Sequence, residues 1–129
     1  MKNILVVGIG NFGSWWVLSL TKFKHPLKIY CFDVEPAKYS ILKRRLKNSY
    51  SRSSKIHEIF FLNNLDKAPK KFDTIIVSTN ADNRLETIQA IKIKFTTIKW
   101  IIEKVITQSA KQMELLSDCL EDQKVFINL

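Results

Sequence analysis

The sequence predicts an α/β protein: a doubly wound, three-layer fold on a parallel sheet of about six strands, in the order 3-2-1-4-5-6. Three observations carry this. Short apolar or β-branched runs alternate with helical stretches along the whole chain. The clearest runs, residues 4–7, 72–79 and 98–102, are nearly continuous apolar segments, as parallel strands covered on both faces must be. The first run passes directly into Gly8-Ile9-Gly10-Asn11-Phe12-Gly13 and then into an apolar helix.

Taken in order, residues 4–7 (ILVV) form the first strand, and residues 14–20 open the first helix. The three glycines between them are all the glycines the chain has. Gly8 lets the chain turn off the strand, Gly10 admits a pyrophosphate close to the backbone, and Gly13 lets the helix pack on the strand. A helix start placed there offers unpaired N–H groups and a partial positive charge to phosphates. Between a strand and a helix, this is the dinucleotide fingerprint of a Rossmann domain. Residues 27–32 (LKIYCF) form the second strand, ending in Asp33, 20 residues beyond Gly13. A carboxylate there can accept both ribose hydroxyls of the adenosine half and repels a 2′-phosphate, so NAD is expected as cofactor ahead of NADP.

A helix over 36–48 follows, with Pro36 in its first turn, and then a polar loop over 49–54. Residues 57–62 form the third strand, 63–71 a loop containing Pro69, and 72–79 (FDTIIVST) the fourth strand. Asp82 or Asn83 caps the next helix, Asn83 with Glu86 forming a capping box, and Leu85, Ile88, Ile91 and Phe95 mark its apolar stripe. Strand five covers 98–102. Ser109 with Gln112 opens a last capped helix with Met113, Leu116 and Leu120 inward, and residues 125–127 make strand six.

The 129 residues suit one domain, and an apolar fraction of 46% is that of a globular protein. The apolar runs are far too short to span a membrane, and the first strand begins too early to leave room for a signal peptide. Cys31 and Cys119 are expected as separate buried thiols, which places the protein in a reducing cytoplasm. The net charge of +9 gathers partly in an acid-free run of Lys38, Lys43, Arg44, Arg45, Lys47, Arg52 and Lys55. Only Tyr39 and Tyr50 interleave it and no nucleic-acid motif accompanies it, so it reads as a solvated face with no nucleic-acid partner. His25 and His57 read as surface or strand-edge residues, and no His/Cys/Asp cluster has metal-ligand spacing.

In an open parallel sheet the ligand lies outside the carboxyl ends of the strands, where strands 1 and 4 diverge. The residues expected there are Gly8 to Gly13, Asp33 to Glu35, Ser78, Thr79, Asn80, Glu103 and Lys104. Ser78, Thr79 and Asn80 either hydrogen-bond the nicotinamide ribose or pyrophosphate, or merely end the strand and start the next helix. Lys104 at the end of strand 5 could exchange a proton with a reacting carbonyl or alcohol, with partial burial lowering its pKa. Of Trp15 and Trp16, one is expected in the core and the other left for a neighbouring domain or subunit.

The string FDTIIVSTNADNRLETIQAI, followed by IKWIIEKVITQS and VFIN, resembles the N-terminal half of the glucose–fructose oxidoreductase, inositol dehydrogenase and rhizopine-catabolism (Gfo/Idh/MocA) family. That family pairs a strand-4 V-A-T-P-N-x-x-H loop with a strand-5 E-K-P. Glu103-Lys104 match the first two positions of E-K-P, and Val105 stands at the proline. Ser78-Thr79 match the A-T region, with Asn80, Ala81 and Arg84 at the proline, asparagine and histidine positions. The resemblance implies an NAD-binding Rossmann domain of an oxidoreductase in sugar metabolism, acting on a sugar, nucleotide-sugar or cyclitol, with Lys104 as the acid/base. It also implies a C-terminal substrate domain that would follow strand 6 and is absent here, so residues 1–129 read as a truncated cofactor domain, expected to be inactive alone. The missing domain, or a homo-oligomer partner, is then expected to complete it. A regulatory nucleotide-sensing domain like those of potassium channels (the RCK/TrkA-N type) is the alternative, against which the FFLNNLDKAP stretch after strand 3 counts.

Overall fold

A computed structural model describes residues 1–49, 55–97 and 99–128. Strands β1 (Lys2–Val7), β2 (Leu27–Phe32), β3 (Glu58–Leu62), β4 (Thr74–Val77), β5 (Lys99–Glu103) and β6 (Lys124–Asn128) form one sheet. Every pairing is parallel and the order is β3-β2-β1-β4-β5-β6, as the strand–helix alternation predicts. The helices are α1 (Asn11–Leu20), α2 (Tyr39–Asn48), α3 (Arg84–Lys94) and α4 (Ala110–Cys119).

The pleat of β1 explains why it has no polar face. Leu5 and Val7 enter one core with Ile75, Val77, Ile88, Ile91, Trp100 and Leu116, under α3 and α4. Ile4 and Val6 enter the other with Val17, Leu20, Ile29, Leu42 and Ile76, under α1 and α2. Each such aliphatic side chain, fully buried, contributes on the order of 1.5–3 kcal/mol. Tyr30, Phe72 and Phe95 extend the first core, with Phe72 meeting the other two rings edge-on.

Several boundaries differ from the sequence expectation. The first helix starts at Asn11, three residues early, because the glycine turn leads into helix without an intervening loop. The expected helix over 36–48 divides into a 3-10 turn, Pro36–Lys38, and α2. Tyr39 at the junction is buried, and its hydroxyl accepts from Asp33 N (2.9 Å) and donates to Leu62 O (2.6 Å), which joins the ends of β2 and β3. The fourth strand is confined to Thr74–Val77. Of the polar loop over 49–54, only Ser49 is described; Tyr50 and Arg52 of the basic run, Ile98 of the fifth strand and Leu129 lie outside the described residues.

The Ser109 cap forms as expected: its hydroxyl accepts from Gln112 N (3.1 Å), and Gln112 Oε1 accepts from Gln108 N (3.1 Å). The Asn83–Glu86 capping box does not form. Asn83 occupies the cap position at φ −116° and ψ 10°, short of the extended conformation that would aim its carboxamide at the helix amides, and it makes no side-chain cap bond. Met113, expected inward, is largely exposed, whereas Leu116 and Leu120 are buried. His57 is a strand-edge residue and is buried, not on the surface: Leu27 N donates to its Nδ1 (3.1 Å), and its Nε2 lies 3.1 Å from Phe23 O. Cys31 is buried and Cys119 half-buried, both as free thiols.

The layer over the sheet is uneven. Helices α1 and α2 cover β1 to β3, but on the same face β4 and β5 border a cleft of about 780 Å³ lined by Ile4, Trp16, Phe23, Ile76 and Ile101. Beyond them, Val125, Phe126 and Ile127 leave the edge strand β6 exposed on both faces.

Candidate functional site

The glycine turn lies at the carboxyl end of β1, between the ends of β2 and β4. Gly8 has φ +89°, a conformation L side chains rarely adopt. A Cβ on it would also sit 2.8 Å from the Ser78 carbonyl carbon and Thr79 N. Its N–H is bonded to Phe32 O (2.8 Å) and Ser78 N to Val7 O (2.8 Å), so the turn is anchored to both neighbouring strands. A Cβ on Gly13 would fall 1.7 Å from Gly8 O, which is how closely α1 packs on the turn. Gly10 is different, since a Cβ there would meet nothing within 4 Å. The glycine at this point leaves an open approach to backbone. No side chain caps α1, and its first turn carries no acid. The leading N–H groups of α1 are therefore free to receive an anion.

Asp33 sits where the sequence places it but has a further task. Its Oδ2 accepts from Ile9 N (2.7 Å) and its Oδ1 from Glu35 N (2.8 Å). The carboxylate thus ties the glycine turn to the end of β2. It is buried, and each oxygen keeps a second acceptor site. At the end of β4, Ser78 Oγ and Thr79 Oγ1 are buried and have no partner, so both have unspent hydrogen-bonding capacity beside the turn. Asn80 is exposed.

Glu103 and Lys104 take opposite environments. Glu103 is buried, its Oε1 accepting from Trp16 Nε1 and from Asn128 Nδ2 (2.9 Å), so α1, β5 and β6 meet at one carboxylate. Lys104 is exposed, and the partial burial expected of it is not present; the Lys104–Val105 peptide bond is cis. Arg84, a buried residue to which the sequence analysis assigned no role, donates to Thr79 O, Glu103 O and Val105 O. It clamps the strand-4 loop to both neighbours of Lys104. Burial lowers the pKa of its guanidinium, and the nearby negative charge of Glu103 opposes that shift.

Trp15 and Trp16 differ in exposure, and the half of the expectation that puts one of them against the core holds for Trp16. Trp16 packs against the core and reaches Glu103, while Trp15 is exposed, with the Arg45 guanidinium 4.5 Å over its ring. The basic run is partly engaged within the fold: Lys43 lies 5.0 Å over Phe61, and Lys38 pairs with Glu35 at 3.8 Å. Among the described residues no group of three or more His, Cys, Asp or Glu side chains could hold a metal, and no helix is long and apolar enough to cross a membrane.

No family model matches the chain, and no curated protein matches it in sequence. Solved structures do match. A Gfo/Idh/MocA family oxidoreductase from Vibrio cholerae superposes with a TM-score of 0.69 at 13% identity, over 99% of this chain and 38% of that one. A putative NADPH-dependent oxidoreductase from Desulfitobacterium hafniense gives 0.72 at 14% identity, over 98% and 34%. Scyllo-inositol dehydrogenase from Lactobacillus casei, solved with NAD(H) and scyllo-inositol bound, gives 0.64 at 14% identity, over 99% and 36%. This chain shares the fold of their N-terminal portion. It spans little more than a third of their length.

Proposed function

We propose that this chain is the NAD(H)-binding part of a Gfo/Idh/MocA-type oxidoreductase acting on a sugar, nucleotide-sugar or cyclitol. The observation that carries the reading is the contrast among the three glycines. Two are closed against neighbouring backbone and hold the turn rigid, while Gly10 faces open space beside an uncapped helix start. That combination fits a diphosphate. The amides of Asn11, Phe12 and Gly13 would hold it, Ile9 would fix the turn through Asp33, and Ser78, Thr79 and Asn80 would meet the second ribose. The spare acceptor sites on Asp33 would take the adenosine ribose hydroxyls, and its negative charge favours NAD over NADP.

A bound nicotinamide supplies the hydride chemistry. The chain's own contribution is to orient it and to move a proton. Lys104 Nζ, at the end of β5, would give a proton to a carbonyl oxygen or take one from an alcohol. Arg84 would fix the backbone on either side of it, and Glu103 would brace α1 against β5. A further C-terminal domain would supply the substrate pocket and would cover the apolar cleft beside β4 and β5, since a parallel sheet is stable with both faces covered. Without that cover the chain would hold cofactor but turn over no substrate, as a protein of the cytoplasm.

Calorimetric titration with NADH, NADPH and ADP tests the reading. NADH should bind at least tenfold more tightly than NADPH, and Asp33→Ala should erase the difference. Equal affinity for the two in the unaltered chain would remove the role given to Asp33. Absence of binding by all three would remove the function.

A further inference from the structure

We propose that the cavity between α1 and the ends of β5 and β6 binds a guanidinium group, contributed by an arginine of the polypeptide that covers this face of the sheet. The cavity has a volume of about 250 Å³ and is lined by Phe12, Trp15, Trp16, Ser19, Glu103 and Asn128. Its occupation does not require a dinucleotide at the glycine turn.

Glu103 is the residue that calls for a cation. It is only 7% exposed, and buried carboxylates are ordinarily paired with a positive charge. Its side chain instead receives two neutral donors, Trp16 Nε1 and Asn128 Nδ2, and both end on Oε1. Among the described residues nothing donates to Oε2, and no ammonium or guanidinium forms an ion pair with the carboxylate. Arg84 lies near, but it directs its two terminal nitrogens at backbone carbonyls, Glu103 O among them. The carboxylate therefore borders the cavity with acceptor capacity unspent on Oε2.

The lining selects the kind of cation. Three of its side chains are aromatic, and Phe12 and Trp15 are more than half exposed. A guanidinium is planar, weakly hydrated and stacks on aromatic faces, whereas a compact ammonium holds its water more strongly. What adjoins the cavity points to a polypeptide as the source. Trp16 and Ser19 also line the apolar cleft of about 780 Å³ beside β4 and β5, so the two spaces share a wall. Phe126 pairs in register with Ile101 of that cleft and so faces the same side. One arginine set among apolar side chains would fill both spaces, while a free guanidinium compound would leave the cleft bare.

An NMR titration of the isotope-labelled chain tests this through the tryptophan indole signals. Trp16 Nε1–H ends on the carboxylate that would meet the cation, and Trp100 Nε1–H, bonded to Gln123 Oε1 (3.1 Å), is the control. N-acetylarginine amide should shift the Trp16 signal saturably and leave Trp100 in place. N-acetylcitrulline amide, alike in shape but uncharged, should bind about tenfold more weakly, as a hydrogen bond to a charged group is worth. N-acetyllysine amide should bind at least about threefold more weakly. Glu103→Gln keeps an acceptor for Trp16 and Asn128 and should lose about tenfold for the arginine probe. The peptide acetyl-Leu-Leu-Arg-Leu-Leu-amide should bind at least about threefold more tightly than the single residue, because its leucines bury against the cleft. The proposal is overturned if the arginine probe leaves Trp16 unmoved, if citrulline or lysine matches arginine, or if Glu103→Gln binds as the native chain does. Should Glu103→Gln not fold, the comparison of arginine with citrulline on the native chain decides. Equal affinity for the peptide and the single residue would overturn the polypeptide source.

Discussion

Two glycines three residues apart are subject to opposite constraints, and mutation should separate them. Alanine at Gly13 would drive a methyl group to 1.7 Å from Gly8 O, so α1 must move off the turn. Gly13→Ala should cost more than about 3 kcal/mol, as overpacking against backbone does at its worst, read as a lowered midpoint in urea. Gly10→Val has space for its side chain and should fold with a midpoint close to the native one, yet lose ADP and NADH binding because the valine occupies the phosphate approach. Normal affinity in Gly10→Val would show that the open space is not the site. Cys31 gives a pH dependence of definite sign. Burial pushes its thiol from 9.0 to about 12. Below pH 9 it is protonated whether the chain is folded or not, and it has no effect on pH dependence. Between pH 9 and 12 the unfolded chain ionises first, so stability should fall by about 1.4 kcal/mol per pH unit from this group. Cys31→Ala should flatten that alkaline slope relative to the native chain, and an unchanged slope would refute the assignment.

Among the elements, the two capping signals in the sequence look alike and behave differently. Ser109 bonds Gln112 N, whereas Asn83 bonds nothing with its side chain. Ser109→Ala should therefore cost about 1 kcal/mol and Asn83→Ala close to nothing, measured as shifts in the urea midpoint. The residue pattern could not distinguish them, because the backbone conformation at a cap is set by how the incoming loop is held. Arg84 takes part in that: it holds Thr79 O ahead of α3 as well as the carbonyls of Glu103 and Val105. An arginine in the first turn of a helix reads as surface. Only the convergence of β4 and β5 reveals three carbonyls that need its donors.

Across the whole molecule, the covering layer is partial: a cleft opens beside β4 and β5 on the α1 face, and the edge strand β6 is exposed on both faces. Phe126, 53% exposed on the edge strand, stands beside backbone groups that pair with no further strand among the described residues. Together with the cleft beside β4 and β5, it presents the kind of apolar surface that drives association. The chain should therefore self-associate as its concentration rises in sedimentation velocity. Phe126→Lys should reduce that association while changing stability by less than about 0.5 kcal/mol, as at exposed positions generally. Association unaffected by Phe126→Lys would place the contact elsewhere.

The sequence by itself determined the strand order, the two cores, the glycine turn and the acid at the end of β2. Each of these is written in local periodicity or in residues that only one backbone conformation tolerates. Tertiary structure alone decided the second set: Asp33 reaching back to Ile9, Tyr39 joining β2 to β3, Arg84 clamping the loops around Lys104, and Arg45 gripping Asn11. These contacts join residues between 5 and 34 positions apart. A polar side chain's partner is whatever unpaired group the packed elements bring within 3 Å, and no spacing along the chain encodes that distance.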